Sequence, residues 1–217
     1  MVTNVINEII TNLTNFYQIK LLLEHYKDPF EILVSTVLSQ RARDENTYKA
    51  TEQLFNRYST PKKLANATIE DIKSIIGFLG LYETKSKRIN EIAKIIVDQY
   101  DGKVPNNIND LLALPGVGRK TANCVLSYGF GKDAIAVDTH VHRISNRLGL
   151  VNTKKPEDTE MGLKKIVPKK SWSYINTLFV KHGKEKCKPI SPECKDCIIN
   201  NVCKTYKSGE YMKLKRK

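Results

Sequence analysis

Residues 108–129 read Ile-Asn-Asp-Leu-Leu-Ala-Leu-Pro-Gly-Val-Gly-Arg-Lys-Thr-Ala-Asn-Cys-Val-Leu-Ser-Tyr-Gly. A short helix is expected to run into Leu114, where Pro115 and Gly116 break it, because neither continues a helix well. After Gly118 a second amphipathic helix is expected, with Thr121, Val125 and Tyr128 on one side. The segment is therefore a tight hairpin between two helices. Glycines in such a turn let a ligand approach the backbone closely. The unpaired N–H groups that open the second helix, with Arg119 and Lys120 beside them, suit a phosphate. The residues that meet it are expected to be Gly116, Val117, Gly118 and Arg119. An ordinary helical hairpin loop is the plain alternative, and the basic pair at the helix start argues against it.

Helical periodicity extends outward from the hairpin over almost the whole chain. Phe30, Leu33, Val34, Val37 and Leu38 share one face, opened by Asp28-Pro29 as N-cap and first-turn proline, with Glu31 at the capping-box position. Ile89, Ile92, Ala93, Ile96 and Tyr100 form a second stripe, and Thr68 to Asp71 caps a third helix. Val141, Ile144 and Leu148 follow Asp138 and stop at Gly149. Trp172, Ile175, Leu178 and Phe179 precede a stop at Gly183. Ile135-Ala136-Val137 is too short for a strand and reads as a connection. The fold class is all-α, with about ten helices and short loops. The basic tail after Cys203 is expected to be poorly ordered.

Composition limits the partner. The 217 residues carry 36 Lys plus Arg against 23 Asp plus Glu, a formal charge of +13. That surplus favours a polyanion, because counterion release from a phosphate backbone drives binding. No apolar run reaches the roughly 18 residues of a membrane span. Nor does the N-terminus show the order of a signal peptide. A cytoplasmic, nucleoid-associated setting is expected, and its reducing conditions leave five cysteines to be explained without disulfides.

Four of them, Cys187, Cys194, Cys197 and Cys203, follow the spacing C-x6-C-x2-C-x5-C. Thiolates this close in a lysine-rich loop imply a metal centre. Zinc usually takes two Cys-x2-Cys knuckles, and this chain has one. One compact loop wrapping all four ligands suits a [4Fe–4S] cluster, with zinc as the alternative. Cys124 falls inside the second hairpin helix and reads as a core thiol.

Hairpin, Val137-Asp138-Thr139-His140-Val141 and the cysteine spacing together resemble the helix-hairpin-helix DNA glycosylase/AP lyase superfamily, in its endonuclease III branch. The resemblance covers nearly the whole chain. It implies a six-helix domain at residues 23–131, with residues 1–22 and 132–217 forming a [4Fe–4S] domain, and a DNA-binding cleft between the two. It implies Lys120 as nucleophile and Asp138 as the essential carboxylate, although each has a plain reading as phosphate ligand and helix cap. It further implies a monovalent cation at the hairpin carbonyls, His140 near the lesion pocket and Leu81 as a wedge in the base stack. The cluster would hold a basic loop, with Lys188 and Lys195 among its phosphate contacts. Leu38-Ser39-Gln40-Arg41-Ala42 resembles the segment that faces the flipped base and its orphaned partner. The family pattern has a small residue and then glutamine after the serine. This chain has Gln40 and then Arg41, so either is a candidate for the vacated space.

The expected activity is excision of oxidised pyrimidines from damaged duplex DNA by a monomer, followed by β-elimination through a Lys120 Schiff base. The rivals are a monofunctional mismatch glycosylase, usually without lysine at this position, and a non-catalytic, metal-containing DNA-binding module. A cluster-based electron carrier would leave the hairpin unexplained.

Overall fold

The computed structural model describes residues 2–18 and 28–214. Among these residues every regular element is helical, and no helix is long and apolar enough to cross a membrane. The described chain divides into two compact units, one within 28–132 and the other formed by 2–18 with 133–214. The junction expected between residues 22 and 23 lies outside the described residues.

Among the described residues the first unit contains the α-helical segments α2 (Pro29–Leu38), α3 (Asp44–Arg57), α4 (Pro61–Ala65), α5 (Ile69–Ile76), α6 (Tyr82–Gln99), α7 (Ile108–Ala113) and α8 (Arg119–Cys124). Of these, α4 is a short turn of helix fixed at both ends. Thr60 caps its start by accepting from the Lys63 amide at 3.2 Å. The buried Asn90 amide donates to the carbonyls of Leu64, Ala65 and Ala67 at 2.9, 3.2 and 3.1 Å, satisfying groups that a helix end leaves over. The long helix α6 packs on α2, α4 and α5 through Ile89, Ile92, Ala93 and Ile96, all fully buried. Each of the three isoleucines stabilises the fold by about 1.5–3 kcal/mol.

Two of the expected N-caps in this unit are present. Asp28 Oδ1 accepts from the Phe30 amide at 2.6 Å and the Glu31 amide at 3.3 Å, while Thr68 accepts from Asp71 N at 3.1 Å. The helix after the hairpin departs from the regular one expected. Beyond Cys124 it widens into a π turn, Val125–Gly129. Gly129 there lies against Pro29, so close that a Cβ would meet the Pro29 Cα at 3.0 Å.

The second unit contains α1 (Val2–Tyr17), α9 (Thr139–Leu148), α10 (Pro156–Ile166), α11 (Trp172–Glu185) and α12 (Lys204–Lys207). Ile6, Ile9 and Leu13 of α1 share a core with Ile135, Val141, Ile144, Trp172 and Phe179. The 135–137 segment is a buried connection, and Asn176 Nδ2 donates to its Ala136 carbonyl at 2.9 Å. Gly149 stops α9 in the left-handed conformation, φ +78.

Two expectations fail in this unit. Gly183 does not end α11, which continues to Glu185. Its lack of a side chain instead makes room, because a Cβ there would lie 2.3 Å from His140 Nδ1 and 2.9 Å from Arg143 Nη2. The tail is not irregular through Leu214: α12 and a 3₁₀ turn, Glu210–Leu214, fold back, and the Ser191 amide donates to Leu214 O at 2.8 Å.

Candidate catalytic and metal-binding sites

In the first unit the hairpin is built from Leu114 to Gly118. Val117 N donates to Leu114 O at 3.1 Å, and the Val117 side chain is buried, pinning the turn to its own unit. Gly116 has φ +72, and a Cβ there would stand 2.7 Å from Arg88 Cδ. Gly118 differs: it starts α8 with ordinary dihedrals, has no side-chain cap, and a Cβ would meet nothing within 4 Å. The space beside Gly118 is therefore open.

Lys120 occupies the first turn of α8, half-buried, and its ammonium has no partner among the described residues. Gln40 comes to the same hairpin from the end of α2. Its Nε2 donates to Gly116 O at 3.1 Å, and its Oε1 accepts from Arg88 Nη1 at 3.4 Å. Arg41, next in sequence, is exposed, left-handed at φ +51 and without a partner among the described residues. Leu81 is likewise left-handed, φ +62, and 53% exposed. The two strained positions are neighbours, since a Cβ on Gly80 would stand 3.4 Å from the Arg41 carbonyl oxygen. A non-glycine residue in this conformation costs about 1 kcal/mol or more and tends to cluster at functional sites.

In the second unit Asp138 caps α9, its Oδ1 accepting from the Val141 amide at 2.8 Å. One carboxylate oxygen is thus committed to the helix. His140 Nδ1 meets Arg143 Nη2 at 3.2 Å, so His140 belongs to an arginine-centred cluster. Arg143 also donates to Cys187 O, from Nη2 at 2.9 Å and from Nε at 3.2 Å. This cluster and its enabling glycine, Gly183, were invisible to periodicity because they join residues about forty positions apart.

A cavity in this unit is lined by all four clustered cysteines, together with Ile144, Leu148 and Ile199. Among the described residues no three His, Cys, Asp or Glu side chains surround a point that one metal ion would fill. The thiols stand around the cavity wall instead. Burial pushes the Cys197 thiol up to about 11 and raises Cys203 as well, so a metal must displace their protons to bind. Arg147 Nη1 donates to Cys187 Sγ at 3.4 Å, and His182 Nε2 lies 3.5 Å from Cys197 Sγ. Burial lowers the His182 imidazole to about 4.

The two lysines expected to contact phosphate diverge here. Lys188 is paired with Glu193 at 2.7 Å, and Lys186 with the same carboxylate at 2.8 Å. These two lysines hold Glu193 down to about 2. Lys195 is exposed, and its ammonium has no partner among the described residues. The fifth cysteine, Cys124, is buried in the core, where its position in the hairpin helix predicts it.

Residues 34–169 match the model of the HhH-GPD superfamily base excision DNA repair proteins. The match includes Lys120 and Asp138 and stops short of the four cysteines. The chain is 54% identical to endonuclease III of Thermotoga maritima over 83% of this chain and 84% of that protein. It is 39% identical to endonuclease III of Bacillus subtilis over 82% of each. A trapped endonuclease III–DNA covalent intermediate superposes with a TM-score of 0.86 at 34% identity, covering 97% of this chain and 99% of that one. A thermostable thymine-DNA glycosylase superposes at 0.84 with 25% identity, over 95% and 97% of the two chains.

The chain belongs to the HhH-GPD superfamily of base excision DNA repair proteins and, within it, to the endonuclease III family. It is accordingly a DNA glycosylase, an enzyme that removes a base from DNA.

Proposed function

We propose that the enzyme is bifunctional: it excises oxidised pyrimidines, such as thymine glycol, from duplex DNA and then cleaves the strand as an abasic-site lyase. The observation that carries this reading is Lys120, a half-buried amine with no described partner, in the first turn of a helix that opens on a glycine hairpin.

In its neutral form Lys120 Nζ attacks C1′ of the sugar. The glycosidic C–N bond breaks and the base leaves, taking a proton. The remaining nitrogen lone pair then expels O4′, which takes up a proton as the ring opens, and the resulting iminium, still bearing its N–H, acidifies the C2′ proton. Removal of that proton expels the 3′ phosphate by β-elimination. Asp138, with Oδ1 held by the Val141 amide, offers Oδ2 to accept a proton or to face the cationic sugar. Lys120 and Asp138 belong to different units, and their joint action is part of the proposal.

The duplex is held at the hairpin by Gly118, Arg119 and the first-turn amides of α8. Leu81 fills the stack, and Arg41 rather than Gln40 enters the vacated base position. Gln40 is already bound to Gly116 O and Arg88. A monovalent cation at the hairpin carbonyls belongs to the same reading, although Leu114 O and Gly116 O each already accept one hydrogen bond.

Cys187, Cys194, Cys197 and Cys203 would hold a [4Fe–4S] cluster, which when bound supplies a thiolate-anchored brace for the loop that carries Lys195. All four thiols line one cavity, which is the donor set that a cubane cluster takes.

The test is borohydride trapping on a duplex containing one thymine glycol. A covalent adduct is expected, and it should vanish in Lys120→Gln and on undamaged duplex. Base release without an adduct would assign the chain to water-activated glycosylases. Neither release nor an adduct, on this duplex and on one with an abasic site, would remove the lyase reading.

A further inference from the structure

The mechanism above makes no use of two residues beside the cysteine cavity. Tyr17, at the end of α1, and His182, on α11, are 165 residues apart in sequence, yet Tyr17 Oη and His182 Nδ1 lie 3.0 Å apart. The other ring nitrogen, Nε2, is 3.5 Å from Cys197 Sγ. The imidazole is only 1% exposed, so water cannot substitute for either contact. The three groups form a continuous chain from a hydroxyl through a ring to a sulfur.

A metal-bound sulfur decides the direction of that chain. A neutral imidazole carries one N–H, and a thiolate only accepts. With Cys197 ligating a cluster, Nε2 must bear the hydrogen. Nδ1 is then a lone pair, and Tyr17 must donate to it. Burial raises the Tyr17 pKa above its ordinary value, with Glu185 adding to the effect, so the hydroxyl keeps its proton. Without that hydroxyl the ring is free to take the opposite tautomer, which turns a nitrogen lone pair toward the sulfur.

We propose that Tyr17 is a positioning residue that locks His182 as a hydrogen-bond donor to Cys197 and thereby raises the reduction potential of the cluster. This inference rests on the cluster assignment under Proposed function. An N–H directed at a ligating sulfur stabilises the more electron-rich state of a cluster, and a ligand's hydrogen-bonding partners tune its potential. The hydroxyl strengthens the effect by polarising the ring. The separate contact from Arg147 to Cys187 stays in place when Tyr17 is changed, so a shift isolates the Tyr17–His182 chain.

The experiment is film voltammetry at one pH on cluster-loaded protein, with iron and acid-labile sulfide measured in every sample. Tyr17→Phe, which removes only the hydroxyl, is expected to lower the midpoint potential at unchanged iron content. His182→Leu is expected to lower it further, and Tyr17→Phe added to His182→Leu should shift nothing more. An unchanged potential in Tyr17→Phe would overturn the proposal. So would an equal further shift in the double variant, because Tyr17 would then act by another route. Should His182→Leu fail to load iron, Tyr17→Phe decides alone. Wild-type protein reconstituted without bound iron and sulfide would refute the cluster assignment itself, and this inference with it.

Discussion

Gln40 and Gly116 are joined across 76 residues by a 3.1 Å hydrogen bond from the side-chain amide to the hairpin carbonyl. The bond makes Gln40 part of the hairpin's support and leaves Arg41, exposed and left-handed, as the side chain directed at solvent. A guanidinium has only donors: at the 6 position it meets an acceptor, O6, on guanine and a repelling amino group on adenine. Excision of thymine glycol is therefore expected to favour guanine over adenine in the opposite strand. Arg41→Gln, with both donor and acceptor, should narrow that preference by about 1 kcal/mol or more. Single-turnover rates on the two duplexes measure it, and an identical ratio in the variant would remove Arg41 from base reading.

The two hairpin glycines are expected to separate folding from binding. Gly116→Ala forces a side chain into the left-handed region and against Arg88, and should lower the unfolding free energy by about 1–3 kcal/mol in urea titration. Gly118→Ala meets no atom of the protein and has ordinary dihedrals, so its stability should stay within about 0.5 kcal/mol of wild type. If DNA approaches the backbone there, duplex affinity nevertheless falls. Unchanged affinity in Gly118→Ala would place the phosphate elsewhere.

Asp138 has two roles that one substitution separates. Asparagine caps helices about as well as aspartate, so Asp138→Asn should keep the Val141 contact and change stability by no more than about 0.5 kcal/mol. Turnover should fall about a hundredfold or more, because the amide neither takes a proton nor carries charge. A thermal melt and a single-turnover assay on the same sample check both halves. Retained turnover would reduce Asp138 to a cap.

Salt dependence is expected to distinguish the two loop lysines. The Lys195 ammonium has no partner among the described residues, and Lys195→Ala should flatten the slope of log affinity against log salt by about 0.9. Lys188 shares its charge with Glu193, so Lys188→Ala should change the slope less. Equal changes would show that DNA displaces Glu193 from Lys188.

The sequence by itself determined what lies within a turn or two of its own signal. The N-caps Asp28, Thr68 and Asp138, the stop at Gly149, the glycine hairpin and the all-helical class all rest on side chains acting on neighbouring backbone. The cysteine spacing brought four thiols to one cavity for the same reason, since four thiols in seventeen residues cannot be far apart.

Tertiary structure alone decided which candidates are free to act. It tied Gln40 to Gly116, neutralised Lys188 with Glu193 and put Gly183 inside a helix where two side chains needed its space. It also widened the hairpin helix into a π turn against Pro29, folded the tail back onto Ser191 and set Tyr17 beside His182. Except for the Lys188–Glu193 pair, these relationships join residues distant in the chain. A hydrogen bond across 76 or 165 residues exists only after the cores have packed and fixed both partners. Local propensity and periodicity carry no record of which distant side chain the packing brings within reach.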